Sequence, residues 1–230
     1  MKKLVLAGLL ASLAAGTASA EILYSQSFED ESWLGGKYYD TGDAASDHQL
    51  MNNAGEAAVN VDGLSAWYTA FDPPGVGLTD GDYVGVTNYT GGGVGSYPDG
   101  SQGYQMSDTD GIMSLISDEY AGATNVSLSI FIADTGYEDA DSLTITMGGV
   151  DVFSIGGTDD GGLAMEEASG TWIELNVAVS GGALDISFAS NSGSEAVYID
   201  AIVIEGAPIP APGALALLGL AGIASRRRRK

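Results

Sequence analysis

The sequence contains no cysteine and only one histidine, His48. Without cysteine, the fold has no disulfide to stabilise it, and a lipoprotein with an acylated cysteine is excluded. One histidine and no thiolate are too few ligands for an ordinary zinc site. A Ser-His-Asp triad would have to use His48, and no nucleophile elbow accompanies it. We therefore expect His48 to be a polar loop residue.

Basic residues are almost absent between the two termini. All 31 acidic residues lie in residues 21–205, here called the body, whereas seven of the eight Lys and Arg residues lie in the terminal segments, leaving Lys37. An acidic surface repels nucleic acids and anionic lipids, so we expect no nucleic-acid partner. The acids are scattered over the whole body, which favours solvation in a saline medium and leaves binding of divalent cations open.

The N-terminal segment has the pattern of an export signal. It begins with two lysines, continues with an apolar run from Leu4 to Leu13 and ends with Ala18-Ser19-Ala20, the small residues that signal peptidase requires. The apolar run is shorter than the roughly 20 residues of a membrane span. Residues 1–20 are therefore predicted to be a signal peptide, and the protein is predicted to be exported.

The C-terminal segment reads IPAPGALALLGLAGIASRRRRK. Prolines break helices and strands, so residues 206–213 are predicted to be a linker. Residues 214–230 then form an apolar run with a basic end, which predicts a short hydrophobic helix. Its arginines favour the cytoplasmic face of a membrane while the apolar part enters the bilayer.

This segment resembles the PEP-CTERM sorting signal, which exosortase recognises in bacteria that make extracellular polysaccharide. The residues that carry the resemblance are Pro210, Pro212, Arg226, Arg227, Arg228 and Arg229. Ala211 departs from the family pattern, which has glutamate there. The resemblance implies an exosortase-like partner, transient membrane insertion before processing, and a final place at the cell surface or in the extracellular matrix. A simple C-terminal membrane anchor is the alternative.

Apolar residues in the body recur at every second position, which predicts strands with one buried face. Glycine-rich and aspartate-rich segments separate these strands and supply turn residues. No amphipathic helix of useful length occurs. Residues 21–205 are therefore predicted to form one all-β domain, a jelly-roll-like β-sandwich of about eight to ten strands. The predicted strands are centred on Val126 to Ile132, Leu143 to Met147, Ile173 to Val179, Leu184 to Phe188 and Ala196 to Glu205.

Asp-Thr-Gly occurs twice, beginning at Asp40 and at Asp134. Aspartic proteases bring two such loops together so that their carboxylates share a proton. The residue after the glycine should then be small, but here it is Asp43 in one copy and Tyr137 in the other. We interpret both triplets as turns. Asp40, Asp43 and Asp47 are expected in a solvated or calcium-holding loop without a catalytic role.

Calcium is the metal that this composition suits, because calcium takes six to eight oxygen ligands in irregular loops. The stretch SDTDG, residues 107–111, has alternating oxygen donors, but Ile112 breaks the EF-hand pattern. The stretches SFEDESW (27–33) and VYIDAIVIEG (197–206) resemble the first and last strands of calcium-bearing jelly-roll carbohydrate-binding modules. That resemblance implies that Glu29 and Asp200 bind one structural calcium ion.

Aromatic residues crowd the first half of the body, where exposed rings could stack on sugars. Together these features predict a non-catalytic binding or extracellular-matrix role, with extracellular polysaccharide as a candidate ligand. The alternative is a calcium-dependent hydrolase that cleaves polysaccharide with carboxylates, although no pair of acids is marked by its spacing. The aromatic residues are Trp33, Tyr38, Tyr39, Trp67, Tyr68, Tyr83, Tyr89, Tyr97 and Tyr104.

Overall fold

The structure, a computed structural model, describes residues 19–30, 36–133, 135–156 and 164–207. Ile22–Gly206 form one compact unit. Most of the predicted signal peptide, most of the linker 206–213 and all of the predicted helix in 214–230 lie outside the described residues. Among the described residues, no helix has the length and apolar character to cross a membrane.

Twelve strands occur in the described part of the body, two of them only two and three residues long. In chain order they are β1 (Ile22–Gln26), β2 (His48–Gln49), β3 (Leu64–Ala70), β4 (Gly85–Thr87), β5 (Gly103–Ser107), β6 (Gly111–Glu119), β7 (Ala123–Ile132), β8 (Ser142–Met147), β9 (Val150–Gly156), β10 (Trp172–Ala178), β11 (Ala183–Ser190) and β12 (Ala196–Gly206). A short 3-10 helix, Gly77–Asp80, precedes β4.

The strands form two antiparallel sheets of six strands each. The first sheet has the order β10-β7-β12-β5-β4, with β1 also paired to β12, and the second has the order β2-β3-β6-β11-β8-β9. From β5 onwards the chain crosses repeatedly between the sheets, because β5, β7, β10 and β12 lie in the first and β6, β8, β9 and β11 in the second. This arrangement is a jelly-roll-like β-sandwich, and it confirms the predicted fold class.

Alternating apolar side chains from both sheets fill one core. In β8, Leu143 and Ile145 are fully buried, and in β12 Val197 and Ile199 are buried with them. Burial of this apolar surface is the main source of stability in a fold without disulfides. All five strands predicted from the alternation are present, as β7, β8, β10, β11 and β12.

The tightest hairpin joins β8 to β9 through Gly148 and Gly149. Both residues have positive φ, +59° and +77°. A two-residue hairpin turn of this kind needs positive φ at both positions, which glycine adopts without a steric penalty. Glycine at these two positions therefore allows the tight turn that pairs Met147 with Val150.

A second, smaller cluster covers the outer face of the first sheet. Phe131 shares one face of β7 with Ser127 and Ser129, opposite the core residues Leu128 and Ile130, so it points away from the core, yet it is only 1% exposed. It packs with Val94, Tyr97, Ala196 and Tyr198, and Trp172 packs against this cluster. Residues 88–102, here called the cover loop, supply Val94 and Tyr97. The cover loop therefore lies on the outer face of the sheet.

Strand β12 is irregular at Asp200 and Ala201, where Ala201 has a φ of +54°. Before this point β12 pairs with β5, and after it the same edge pairs with β1. The pairing with β7 also shifts register between Asp200 and Val203. The Asp200 side chain is thereby fully buried where two neighbouring strands meet.

Candidate functional site

A cleft of about 580 Å³ opens on the outer face of the first sheet. Strands β4, β5 and β12 supply its floor, and the cover loop and the β11–β12 turn supply its walls. A concave site of this size with mixed apolar and polar lining is typical of small-ligand binding. The lining residues are Gly36, Ala57, Tyr83, Val84, Gly85, Val86, Thr87, Tyr89, Gly92, Val94, Gln105, Ala133, Gly193, Ser194, Ala196 and Tyr198.

The floor of the cleft depends on the pairing of Gly85 with Gln105. Gly85 has a φ of +105°, and a Cβ atom there would lie 2.7 Å from the carbonyl oxygen of Ala58. Only glycine fits both the backbone conformation and the space. Gln105, on the neighbouring strand, lines the cleft and places an amide group there.

Three tyrosines give the cleft its aromatic surface. Tyr83 and Tyr89 are 47% and 48% exposed, whereas Tyr198, on strand β12, is buried. The rings of Tyr89 and Tyr198 are stacked, with centroids 6.1 Å apart and an interplanar angle of 13°. An exposed ring that is already packed on another ring loses little conformational freedom when it contacts a ligand.

Two hydrogen bonds hold the cover loop in place, one to the sheet and one within the loop. The indole Nε1 of Trp172 donates to the carbonyl oxygen of Val94 at 2.9 Å, and the Tyr97 hydroxyl donates to the carbonyl oxygen of Tyr89 at 2.8 Å. Tyr97 also contacts the Trp172 ring edge-on, with centroids 5.6 Å apart. These contacts hold Tyr89 at the cleft.

Lys37, the only Lys or Arg of the body, lies beside Tyr83. Its Nζ donates to the carbonyl oxygen of Gly81 at 2.8 Å and lies 5.2 Å from the centroid of the Tyr83 ring. A cation over a tyrosine face is attracted by the ring quadrupole. Lys37 therefore helps to position Tyr83 but does not itself line the cleft.

Glu29, a predicted calcium ligand, holds one end of the cover loop. Its Oε1 accepts hydrogen bonds from the backbone N–H of Ser101 and of Gln102, each at 2.7 Å, and its Oε2 accepts one from the Ser101 hydroxyl. Burial would raise the pKa of Glu29, but these hydrogen bonds outweigh it and lower the pKa.

Asp200, the other predicted ligand, binds the same loop segment from the sheet. Its Oδ2 accepts from the backbone N–H of Asp99 and its Oδ1 from that of Ala201, each at 2.7 Å. Burial raises the pKa of Asp200 to about 6, and the charges of Asp99 and Glu29 add to the rise. The structure therefore brings Glu29 and Asp200 to one segment, residues 99–102, where both carboxylates anchor the cover loop.

Oxygen groups also surround a smaller pocket of about 200 Å³ between β1 and β12. Asp30, Asp62 and Asp99 line it together with Ser25, Gln26 and Ser27. The backbone N–H of Asp99 is the group that donates a hydrogen bond to Asp200. Carboxylate, amide and hydroxyl oxygens are the donors that calcium prefers. Neither Glu29 nor Asp200 lines this pocket, so their assignment as calcium ligands stays a prediction.

Glu138, Asp141 and Glu195 form an acidic trio that the sequence analysis did not single out. Each offers one oxygen atom, and these atoms lie within 4.8 Å of one another. Asp141 and Glu195 are buried. Burial, followed by the charge of Asp141, raises the pKa of Glu195 to about 7. Glu195 is more than fifty residues from Glu138 and Asp141 in the sequence. Only folding brings it to them, so no local sequence pattern indicates the trio.

His48 corrects one expectation, because it lies in strand β2 rather than in a loop. Its backbone pairs with Tyr68 of β3, and its Nε2 lies 2.7 Å from Oδ2 of Asp40. Asp40 is buried and also accepts a hydrogen bond from the backbone N–H of Gly42. Asp40 is therefore part of a closed turn and not a solvated carboxylate.

The two other acids of this turn also bind the backbone. Oδ1 of Asp43 accepts from the N–H of Ala45, and Oδ1 of Asp47 accepts from the N–H of Ala70. These contacts favour the turn interpretation of the first Asp-Thr-Gly triplet. Asp134, which begins the second triplet, lies outside the described residues.

No family model matches the chain, and no curated protein matches it. The PEP-CTERM resemblance at Pro210, Pro212 and Arg226 to Arg229 therefore stays a prediction, on residues that lie outside the described part of the chain.

Several solved structures are similar to the chain over part of the fold. The K2 cleaved adhesin domain of Lys-gingipain is 17% identical, with a TM-score of 0.41, and the match covers 69% of this chain and 97% of that one. The family 11 carbohydrate-binding module from Clostridium thermocellum, in complex with a mixed-linked tetrasaccharide, is 14% identical, with a TM-score of 0.35 and coverage of 72% and 99%. Carbohydrate-binding module CBM36, in complex with calcium and xylotriose, is 19% identical, with a TM-score of 0.28 and coverage of 48% and 86%. Similarity at these scores does not identify a ligand for this chain. The functional argument therefore rests on the cleft described above.

Proposed function

We propose that the protein is an exported, non-catalytic binding protein whose outer cleft holds a glycan. The observation that carries this proposal is the aromatic surface of the cleft, in which exposed Tyr83 and Tyr89 stand beside the amide of Gln105. Tyrosine faces pack against the apolar faces of sugar rings, and amide and hydroxyl groups bind sugar hydroxyls. The combination suits a carbohydrate better than a purely apolar ligand.

The glycan is neutral. Among the described residues, no charged side chain lines the cleft. The surrounding body carries all 31 acidic residues of the sequence, so its field repels an anionic polysaccharide. A neutral sugar chain meets neither this repulsion nor an unpaired charge in the cleft.

A binding role is favoured over the alternative of a calcium-dependent polysaccharide hydrolase. Glycoside hydrolysis needs two carboxyl groups that flank the bond to be cleaved. The described lining of the cleft contains none. The buried pair Asp141 and Glu195 belongs to the acidic trio and not to the lining. The hydrolase alternative would be favoured if incubation with a bound polysaccharide released reducing sugars.

A structural calcium ion at Glu29 and Asp200 is the second part of the proposal. Burial raises the pKa of Asp200, and the charges of Asp99 and Glu29 add to the rise, so a cation among these acids would relieve their repulsion. Both ligands already bind the cover loop. Calcium there would stabilise the loop that carries Tyr89, and its removal would loosen the cleft.

Export and surface sorting complete the proposal and rest on the two terminal segments. Signal peptidase would remove residues 1–20, and an exosortase-like enzyme would act on the tail that contains Pro210, Pro212 and Arg226 to Arg229. Mass spectrometry of the surface-exposed protein should then lack residues 226–230. An intact tail in that form would favour the simple membrane anchor.

The glycan proposal is tested with a panel of polysaccharides in affinity gels. Neutral glycans should retard the purified protein, whereas uronic-acid and sulfated glycans should not retard it at low salt. Retardation by anionic glycans alone would contradict the proposed ligand class. No retardation by any member of a broad neutral panel would contradict glycan binding.

A further inference from the structure

Two short acidic turns lie side by side beyond the end of the β4–β5 ladder. The ladder pairs Gly85 with Gln105 in antiparallel register. Two residues further along each strand, the hydroxyl of Ser107 donates to the carbonyl oxygen of Tyr83 at 3.3 Å. The two segments therefore remain adjacent after the regular backbone pairing has ended.

Each of these two segments carries an Asp-x-Asp sequence. Asp80 and Asp82 precede β4, and Asp108 and Asp110 follow β5, where the contact between Ser107 and Tyr83 keeps the segments adjacent. The first pair comes from the end of the 3-10 helix, and the second belongs to SDTDG, whose oxygen donors alternate along the chain. Four carboxylates are thus gathered at one end of the sandwich.

Asp82 is the unusual member of this group. It continues the inward-facing row of Val84 and Val86 and is only 2% exposed. Its Oδ2 is the one fully buried side-chain oxygen or nitrogen atom in the described residues that has no hydrogen-bond partner. A buried carboxylate oxygen without a partner is costly, because desolvation is not compensated.

The surroundings of Asp82 carry excess negative charge. Burial raises the pKa of Asp82 to about 8, and the charges of Asp108 and Asp80 add to the rise more than Lys37 offsets. The Nζ of Lys37 donates to the Gly81 carbonyl instead. Asp108 is half-buried and Asp80 is exposed, so the acids lead from the interior to solvent. A cation could reach Asp82 along this path.

We propose that Asp80, Asp82 and Asp108 bind a calcium ion at a site separate from Glu29 and Asp200. Carboxylate oxygens are hard ligands, and calcium accepts them in irregular loops where magnesium demands a stricter octahedron. The three side chains must first converge, because within the described residues only the trio at Glu138 already has its oxygens within 4.8 Å of one another. The side chains of exposed Asp80 and half-buried Asp108 can rotate towards Asp82 and so bring the three carboxylates together.

Calorimetric titration of the purified protein with calcium chloride tests the site. Asp82→Asn and Asp108→Asn should each lose one equivalent of bound calcium relative to wild type. Asp151→Asn, which removes the same charge from an exposed position in β9, should lose none. A protein with both Glu29→Gln and Asp200→Asn should keep the equivalent that Asp82→Asn loses.

A melting experiment separates calcium binding from a merely structural role. In chelator, Asp82→Asn should melt at or above the wild-type temperature, because it removes a buried carboxylate that has no partner. Calcium should raise the melting temperature of Asp82→Asn less than it raises that of wild type. Unchanged stoichiometry in both Asp82→Asn and Asp108→Asn, or no calcium bound by wild type, would overturn the proposal. If Asp82→Asn does not fold, Asp108→Asn decides.

Discussion

Both ring nitrogens of His48 face oxygen acceptors, since Nε2 lies 2.7 Å from Oδ2 of Asp40 and Nδ1 lies 2.8 Å from the carbonyl oxygen of Ser46. Only the doubly protonated imidazolium donates on both sides. Burial alone would lower the pKa of His48, but the two hydrogen bonds outweigh it and raise the pKa. The charged ring therefore links the acidic turn to strand β2.

This pairing predicts a pH-dependent contribution to stability. Because the folded pKa of His48 is raised, its contribution is complete below the unfolded pKa of about 6.5 and disappears as pH rises through the folded value. His48→Gln should therefore lower the melting temperature more at pH 5.5 than at pH 8.5. Comparison with wild type at each pH cancels the titration of other groups. An equal loss at both values would contradict the assigned charge.

The acidic body predicts stabilisation by salt. Lys37 is the only Lys or Arg residue of the body, which carries 31 acids, and the described residues contain one ion pair, His48 with Asp40. Exposed like charges repel over a Debye length that falls from about 30 Å at 0.01 M salt to about 3 Å at 1 M. The melting temperature in sodium chloride should rise over this range. A flat or falling curve would show that bound cations already compensate the acids.

We expect the small hydrophobic cluster around Phe131, on the outer face of the first sheet, to contribute to stability. The Phe131 ring lies between Tyr198 and Trp172, with centroids 6.1 Å and 5.7 Å away. Phe131→Ala should destabilise the fold by about 3 kcal/mol, the usual range for a buried phenylalanine. Phe131→Leu should cost clearly less. Urea unfolding of both variants measures the difference, and a wild-type midpoint for Phe131→Ala would show that the cover loop is not packed on the sheet.

Calcium at Glu29 and Asp200 predicts a ligand-dependent rise in melting temperature over a chelator control, because a ligand of the native state stabilises it by mass action. Glu29→Gln and Asp200→Asn should each reduce this rise. Glu167→Gln, at an exposed position, should keep it. If the full rise persists in both site variants, calcium binds elsewhere in the protein.

Strands β7, β8, β10, β11 and β12 could be predicted because apolar residues recur there at every second position, whereas β9 lacks this pattern and is not predicted. Strand β6 in the first half is less regular, since Ser114 and Ser117 are buried among its apolar residues. Ser114 is satisfied by a hydrogen bond to the hydroxyl of Ser187 at 2.7 Å, a partner that only the folded pairing with β11 supplies. The sequence alone does not indicate that a serine will have such a partner, so a buried serine in a strand is not predicted.

The cleft could be predicted only in part. The sequence indicates that aromatic residues crowd the first half, and Tyr83 and Tyr89 are among them. It does not indicate that Tyr198 of the last strand lies under Tyr89, or that Gln105 faces outwards beside Gly85. These placements depend on sheet register and on the cover loop, which are long-range features. The same holds for Asp82, because only the three-dimensional structure shows that its buried Oδ2 has no hydrogen-bond partner.

The central claim is that Tyr89 and Tyr83 bind a neutral glycan in the outer cleft. The most direct test is calorimetric titration of one glycan from the neutral panel into wild type, Tyr89→Ala, Tyr83→Ala and Tyr39→Ala. Tyr39 is the matched control, because it is 47% exposed and lies outside the cleft lining. We expect Tyr89→Ala and Tyr83→Ala to weaken binding by about tenfold or more, the loss of a central aromatic contact, and Tyr39→Ala to bind as wild type does. Wild-type affinity in both cleft variants would contradict the claim.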